Sequence, residues 1–310
     1  MYSTILGFDI GGSKIAVVEG NFSAEILQHR TFPIDSDTSP AVIFERMFAI
    51  GDEVIATSKA ANRVPAAISV SIGGPLDIEQ GIIMSPPNLP KWEQIPLKTL
   101  LFEHFALPVY IEHDGNAGAL AEYIFGAGRG SQNMVFLTLG TGLGAGIILN
   151  GKIYRGSTDM AGEVGHIRIT EDGPIAYGKM GSWEGVCSGA GLVKLAHQRY
   201  PGYWPAEITT RELIQAALDN IPEACNLVEE MGEWLGRGIA ILVDILNPEI
   251  VVVGTIGVVL GNLVLDPARR IIAEEALPRA AKACQIIPAQ LGDSLGDIAS
   301  LMAAIDGQRK

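Results

Sequence analysis

Hydrophobic and polar positions change period repeatedly along the chain, and each change marks an element. The opening runs ILGFDI and IAVVEG flank the polar, glycine-rich GGSK, which predicts a β-hairpin with glycines where positive φ is wanted. From about Ala41 to Ala61 the apolar residues recur at helical spacing. AAISVSIGGPLD then reads as a strand entering a Gly-Gly-Pro loop, and GIIMSPPNLPKW as a short strand followed by a proline-rich loop. The apolar strand PVYIEH meets Asp114. A helix is predicted from about Asn116 to Phe125, with Gly126 in the stop position.

The opening pattern returns at Asn133, where MVFLTL, GTGLGAG and IILNG again give strand, glycine turn and strand. This recurrence predicts two similarly built halves. After GEVGH (162–166) the chain is mostly helical until EIVVVG (249–254) adds another strand, and LGDSLGDIASLMAAI reads as a loop and a terminal helix. The most apolar stretch, 238–265, is interrupted by Asp244, Asn247, Pro248 and Glu249. It therefore predicts a buried helix followed by a buried strand rather than a membrane span. Alternating strands and helices of this kind imply an α/β fold.

Composition narrows the class. A chain of 310 residues can build two domains of ordinary size, and 48% hydrophobic with 18% charged residues suits a soluble globular protein. Cys187, Cys225 and Cys284 lie far apart, form no CxxC pair and leave one over, as expected of reduced thiols in a cytoplasm. The N-terminus shows no signal-peptide pattern, which points to the same compartment. A net charge of −13 argues against a nucleic-acid surface, because phosphate neutralisation needs a basic stripe. It does not exclude a nucleotide, whose phosphates can be bound by backbone N–H groups and a divalent metal.

The glycine loops carry the candidate chemistry. No GxxxxGK[ST] is present, and GTGLGAG both misses the GxGxxG spacing and leads into a strand where a dinucleotide fold needs a helix. Each glycine hairpin alone is equally explained as a tight turn. Asp9, at the end of an apolar strand just before Gly11 and Gly12, is poorly placed for a core and well placed to hold a hydrated Mg²⁺. Asp114 before Gly115 satisfies turn chemistry, and on residue type alone a turn former, a metal ligand and a catalytic base all remain open. Glu163 and His166, bracketed by glycines, could share one cavity or be a solvated acid and a satisfied histidine.

FDIGGSK, SIGGPLD, SPPNLPKW, EHDGNAG, LGTGLGAG, GEVGHI and GSWEGVCSG, in this order and spacing, resemble the ROK family of sugar kinases and repressors from about residue 5 to residue 306. That family lies within the superfamily of hexokinase, actin and the heat-shock chaperone ATPases. The resemblance implies a two-domain actin-like ATPase (ribonuclease H-like) fold with duplicated mixed sheets and an interdomain cleft. The smaller domain would be 1–112 plus 295–310, with the first phosphate hairpin. The larger, 113–294, would carry the catalytic acid, the second phosphate loop and the sugar pocket.

By position, Asp9, Gly11, Gly12, Ser13 and Lys14 match the first phosphate motif, with Asp9 holding Mg²⁺ through water. Gly140, Thr141, Gly142 and Gly144 match the second. Gly254, Thr255, Ile256 and Gly257 stand at the adenosine loop, where Thr255 and Ile256 replace expected glycines. Gly74, Asn88, Asp114, Glu163, His166 and Glu184 match the sugar pocket, and a set of carboxylates, an amide and an imidazole suits a ligand rich in hydroxyls. Asp114 is implied to be the base. Many family members build a zinc site from the histidine matching His166 and three cysteines; here those positions are Ile175, Tyr177 and Ser182, so no structural zinc is expected. His113 replaces an asparagine that contacts the sugar, which makes it either an altered hydroxyl contact or a strand-end residue pointing away.

The expected activity is ATP-dependent transfer of the γ-phosphoryl group to a hexose, with glucose to glucose 6-phosphate first and an N-acetylhexosamine (N-acetylglucosamine or N-acetylmannosamine) or fructose as the alternatives. Expected cofactors are ATP and Mg²⁺, and expected partners are the sugar, ATP and a second copy in a homodimer, with neither nucleic acid nor membrane. A sugar-responsive repressor would need a helix-turn-helix ahead of the first hairpin, which begins by residue 5. A non-catalytic sugar sensor is disfavoured by the intact Asp9, Asp114 and phosphate loops.

Overall fold

A computed structural model describes residues 2–35, 37–86 and 88–309. Pro87, within the SPPNLPKW motif, lies outside the described residues. The chain forms two compact units: residues 1–121, 155–160 and 293–310 make the first, and residues 122–154 and 161–292 the second. The chain passes between them inside the helix Asp114–Phe125, later than the expected boundary at residue 112.

The first unit is built on a five-stranded sheet in the order Ile26–Pro33, Lys14–Gly20, Tyr2–Ile10, Arg63–Ile72, Val109–His113. The first three strands pair antiparallel, and Tyr2–Ile10, Arg63–Ile72 and Val109–His113 pair parallel. Arg63–Ile72 is buried along nearly its whole length, as a central strand covered on both faces must be. The terminal helix Leu295–Gly307 packs on this sheet through Leu301, Met302 and Ala304. Its close seat depends on missing side chains: a Cβ on Gly7 would lie 2.5 Å from Ser300 Oγ, and one on Gly20 would lie 2.3 Å from Leu301 Cδ1.

The second unit repeats the plan. Its sheet runs Lys152–Ile153, Ala145–Leu149, Met134–Leu137, Ile250–Val253, Gln285–Pro288, again with antiparallel pairs on one side of the third strand and parallel pairs on the other. The recurrence in the sequence is thus a repeat of topology. The long helix Pro222–Leu246 supplies much of the core and crosses Asn262–Glu275 where Gly232 and Gly236 bring backbones together. A Cβ on either glycine would approach a carbonyl oxygen of the facing helix, Val264 or Ala268, to 2.6 Å.

Four local expectations are corrected. The helix after Val109–His113 begins at Asp114, so Asp114 is its first residue rather than part of a preceding turn. Strand Ile26–Pro33 was not predicted, because an edge strand reading Gln-His-Arg-Thr lacks an alternating apolar face. The end of the apolar stretch, after strand Ile250–Val253, is helical at Ile256–Leu260 and Asn262–Glu275. Inside the segment read as mostly helical lies a small hairpin, Ile175–Ala176 with Lys179–Met180. No helix among the described residues is long and apolar enough to cross a membrane.

Candidate functional site

The first unit positions Asp9, Gly12, Asn88, His113 and Asp114. Asp9 ends strand Tyr2–Ile10 in register with Ser71 of the neighbouring parallel strand, and Ser71 hydrogen-bonds its carboxylate. Burial, then the nearby Asp114 charge, pushes the Asp9 carboxyl up to about 6, against the opposing influence of Ser71 and Lys14. Asp297 adds a further negative charge, and a Cβ on the adjacent Gly296 would stand only 3.2 Å from Asp9 Oδ2. A desolvated carboxylate among other acids favours a cation beside it. No group of three His, Cys, Asp or Glu side chains among the described residues forms a metal cage. Asp9 is the side chain here that would hold a hydrated divalent cation such as magnesium.

After Asp9 the chain turns through Gly11 to Lys14, closed by Gly11 N–H donating to Lys14 O at 3.1 Å. Among the described residues the N–H groups of Gly12 and Ser13 take no partner, leaving two consecutive donors at the loop. Gly12 lies against Asn88, where a Cβ would come within 2.7 Å of Asn88 Cβ and 2.9 Å of its carbonyl oxygen. The loop bearing Asn88 is tied by Ser85 N–H to Trp92 O and Trp92 N–H to Leu89 O, both 2.9 Å, and is anchored by buried Leu89 and Trp92.

Asp114 opens its helix with Oδ1 accepting from Gly115 N–H at 2.7 Å and with its side chain 55% exposed. The helix N-terminus is a favourable place for negative charge. His113 precedes it with Nδ1 3.2 Å from Asp114 Oδ1, and accepts a 3.3 Å bond from Gly115 N–H. Its ring fills the space above Gly74, where a Cβ would meet Cδ2 at 2.8 Å. The structure therefore brings together His113, Asp114, Gly73 and Gly74. Glu112, one residue earlier, is buried and accepts from His113 N–H at 3.1 Å, Asn116 Nδ2 at 2.9 Å and Arg155 Nε at 3.0 Å.

The second unit positions the rest. Its glycine loop is closed by Gly140 N–H to Gly142 O at 3.0 Å and by Gly144 N–H to Thr138 Oγ1 at 2.9 Å. Among the described residues the N–H groups of Thr141 and Gly142 make no hydrogen bond, so this loop too presents two adjacent donors. The segment from Gly254 runs beside it, with Gly254 N–H bonded to Leu137 O at 2.8 Å and Ile256 N–H to Leu139 O at 2.9 Å. Gly257 is packed tightly, since a Cβ there would meet Val253 Cγ1 at 2.5 Å. Of the two side chains that replace glycine there, Thr255 is exposed at this edge and Ile256 is buried in the core of the second unit.

Glu163, His166 and Glu184 are gathered against the same loop. A Cβ on Gly162 would fall 2.0 Å from Ala145 O and one on Gly165 2.3 Å from Leu143 O, so both glycines are required for GEVGH to lie on that backbone. Glu163 immediately precedes the short turn Val164–His166, with its Oε2 4.0 Å from His166 Nε2. Glu184 sits in the short helix Trp183–Val186, whose start is capped by Ser182 accepting from Gly185 N–H. Glu184 Oε2 accepts from Leu143 N–H at 2.9 Å and from Tyr177 Oη at 2.7 Å; Oε1 takes no bond among the described residues.

The positions expected to lack zinc cysteines carry other contacts. Ser182 is the helix cap, Ile175 is exposed, and Tyr177 stacks on His166 with ring centroids 3.6 Å apart. Burial and then the Glu184 carboxylate push the Tyr177 phenol up, so it stays a donor. Burial likewise pushes the Cys187 thiol up, as befits an inert core cysteine.

A sequence model of the ROK family matches residues 5–305. The chain belongs to the ROK family. Its ROK relatives include a glucokinase of Streptomyces coelicolor, 34% identical over 94% of each chain. They also include a xylose repressor of Caldicellulosiruptor bescii, 32% identical over 88% of this chain and 71% of that one. Among solved structures, a ROK glucokinase from Streptomyces griseus in complex with glucose and AMPPNP superposes with a TM-score of 0.82 at 31% identity, covering 98% and 99% of the two chains. The fold of this ROK protein is that of the actin-like ATPases.

Sequence reasoning missed two groups in this ROK chain. Arg155, whose guanidinium bonds Glu112, had no signal of its own, although an acid inside the apolar strand PVYIEH demanded a buried partner. Tyr177 was read only as a missing cysteine. Its turn carried no ordinary hairpin signal, because Asn, Asp or Gly, not Tyr, favours the first position of a two-residue turn.

Proposed function

We propose that the protein is an ATP-dependent hexose kinase, with glucose phosphorylated at its 6-hydroxyl as the first reading. The observation that carries it is Asp114, a carboxylate fixed through one oxygen by Gly115 N–H and more than half exposed, as a base awaiting a hydroxyl should be. In this reading the hydroxyl oxygen attacks the γ-phosphorus as Asp114 takes its proton. The bond to the bridging oxygen breaks, and ADP leaves. Such transfer depends on positioning and charge more than on covalent help.

The N–H pairs at Gly12–Ser13 and Thr141–Gly142 are assigned to the phosphates, and the Gly254–Thr255 segment to the adenosine. Glu163, His166 and the unused Oε1 of Glu184 are assigned to sugar hydroxyls, with Asn88 and His113 as further contacts. Magnesium held by Asp9 would offset phosphate charge. Likeness to a glucokinase and to a glucose and AMPPNP complex supports this reading.

The test is ADP release with glucose, fructose, N-acetylglucosamine and N-acetylmannosamine. Turnover highest with glucose supports the proposal, and a different preferred hexose keeps the kinase but changes its substrate. The likeness to a xylose repressor favours a second reading, a non-catalytic sugar-sensing regulator. Sugar binding by calorimetry without any sugar-dependent ADP release would select it.

A further inference from the structure

Among the described non-glycine residues at positive φ, Tyr177 is the aromatic one; the others are Asn, Asp, Ala, Ser and Gln. It occupies the first tip position of the hairpin Ile175–Ala176/Lys179–Met180, at φ 53°, followed by Gly178 at φ 69°. Two tip residues at positive φ are the requirement of the tightest hairpin turn, where Asn, Asp or Gly is the comfortable first residue. A bulky aromatic there is strained, and such strain persists where surrounding contacts over-determine it.

Those contacts are specific. The Tyr177 ring lies nearly parallel to His166, 22° between planes and 3.6 Å between centroids. Its hydroxyl donates to Glu184 Oε2 at 2.7 Å. The hairpin is held further by two lysine side chains, since Lys179 Nζ donates to His166 O and Lys194 Nζ donates to Ile175 O. The ring therefore covers one face of the imidazole, while the hydroxyl occupies one oxygen of Glu184 and leaves Oε1 for a ligand. One side chain thus touches two of the groups that the proposed function assigns to sugar hydroxyls, His166 and Glu184.

We infer that Tyr177 is a positioning and specificity residue, a clamp that uses hairpin strain to hold His166 and Glu184 in the geometry that recognises adjacent hydroxyls of a hexose. The inference rests on the sugar-binding reading of this pocket. It distinguishes function from fold by sign, because relieving the strain should help the fold and harm the ligand.

The experiment compares wild type with Y177F and Y177G in thermal melting, in glucose binding by calorimetry and in steady-state kinetics. Y177F keeps ring and backbone but loses the bond to Glu184. Its melting temperature should be unchanged and its glucose Kd and KM about 5–10-fold higher, with kcat and the KM for ATP within threefold. Y177G relieves the backbone and loses both contacts. Its melting temperature should equal or exceed that of wild type, with glucose binding weakened more than in Y177F. Wild-type sugar binding in Y177F, or a lower melting temperature with unaltered sugar binding in Y177G, overturns the clamp. Wild type that binds glucose without turnover removes the kinase reading alone and leaves the clamp judged by Kd. Wild type that binds none of glucose, fructose, N-acetylglucosamine or N-acetylmannosamine removes the sugar reading and the clamp with it.

Discussion

The two glycine hairpins have the same topology and acquire their acids by different routes. Each joins two antiparallel strands of a five-stranded mixed sheet, and each leaves two consecutive N–H groups without a partner among the described residues, at Gly12–Ser13 and at Thr141–Gly142. The first carries its own acid: Asp9 ends the strand, is pushed up to about 6 by burial and by Asp114, and has Lys14 in the same turn. The second has no charged residue between Leu137 and Ala145 and borrows Glu184, which reaches in to Leu143 N–H. Backbone donors are therefore what the repeated fold supplies twice. The charge is added once per unit, by a different route, and the chemistry follows the charge.

Removing the acid in the first unit that the proposed function assigns as the base should have the largest effect. We expect Asp114→Asn to lower kcat by about 10²–10⁴-fold while glucose binding and melting temperature stay near wild type. Single-turnover rates and calorimetry check both halves, and near-normal turnover would take Asp114 out of the role of base.

Asp9→Asn sharpens the contrast, because it strips the first hairpin of the acid carried by its own strand. Activity should fall by about 10–100-fold with a steeper dependence on Mg²⁺. Stability should move the other way. With its native value raised from 3.8 to about 6, the folded state favours protonated Asp9. The stability this confers is complete below about pH 3.8 and lost as the pH rises through about 6. Asn should thus raise the melting temperature at pH 8 and have little effect at pH 4. For wild type, Mg²⁺-dependent activity should decline at acidic pH as the proton competes with the cation for Asp9, and at lower pH the higher the Mg²⁺ concentration. Melting curves with and without the substitution at both pH values, and a Mg²⁺ titration across pH 5–8, read these effects.

In the second unit the borrowed acid can be dislodged from the loop side. A Cβ at Gly142 would lie 2.7 Å from Glu184 Oε2, an oxygen already pinned by Leu143 N–H and Tyr177 Oη. Gly142→Ala should therefore push Glu184 aside and raise the KM for the sugar by roughly tenfold, the worth of a displaced charged hydrogen bond. Gly12→Ala meets Asn88 Cβ and its carbonyl instead, and must shift the loop backbone. A matched pair of KM measurements for sugar and ATP separates the two.

This contrast explains what was legible beforehand. Backbone-encoded features showed in the sequence because glycines and apolar runs report φ and burial locally: both hairpins, the strand before Asp114, and the repeat itself. Asp114 was visible as an acid at a strand end, though not that the helix begins on it. Borrowed groups did not show. Arg155 reaches Glu112 across 43 residues of sequence, and Tyr177 matters through a ring stack and a turn conformation that no periodicity encodes. Edge strand Ile26–Pro33 was missed for a related reason, since its partner and not its own pattern makes it a strand.

The smallest effect on turnover belongs to an acid in the same sheet as Asp9 that the fold keeps for itself. Glu19 is fully buried, and burial opposes its ionisation. Bonds from Arg63, Gln28, Ser58 and Thr4 outweigh that cost and hold the carboxyl down at about 2. Arg63 donates to both oxygens, at 3.0 and 2.8 Å, Gln28 Nε2 at 2.7 Å and Thr4 Oγ1 at 2.9 Å. Its sign is opposite to that of Asp9: the stability it confers is present above its ordinary 4.5 and lost as the pH falls through about 2. Glu19→Gln should cost about 2–3 kcal/mol at pH 7, because charged hydrogen bonds are broken around a partly buried guanidinium, and leave kcat within twofold. The cost should shrink as the pH approaches 2. Denaturation midpoints at pH 7 and pH 3, set beside those of Asp9→Asn, test whether two carboxylates in one sheet differ in what their environments favour, one whose charge the fold stabilises and one whose charge the fold opposes.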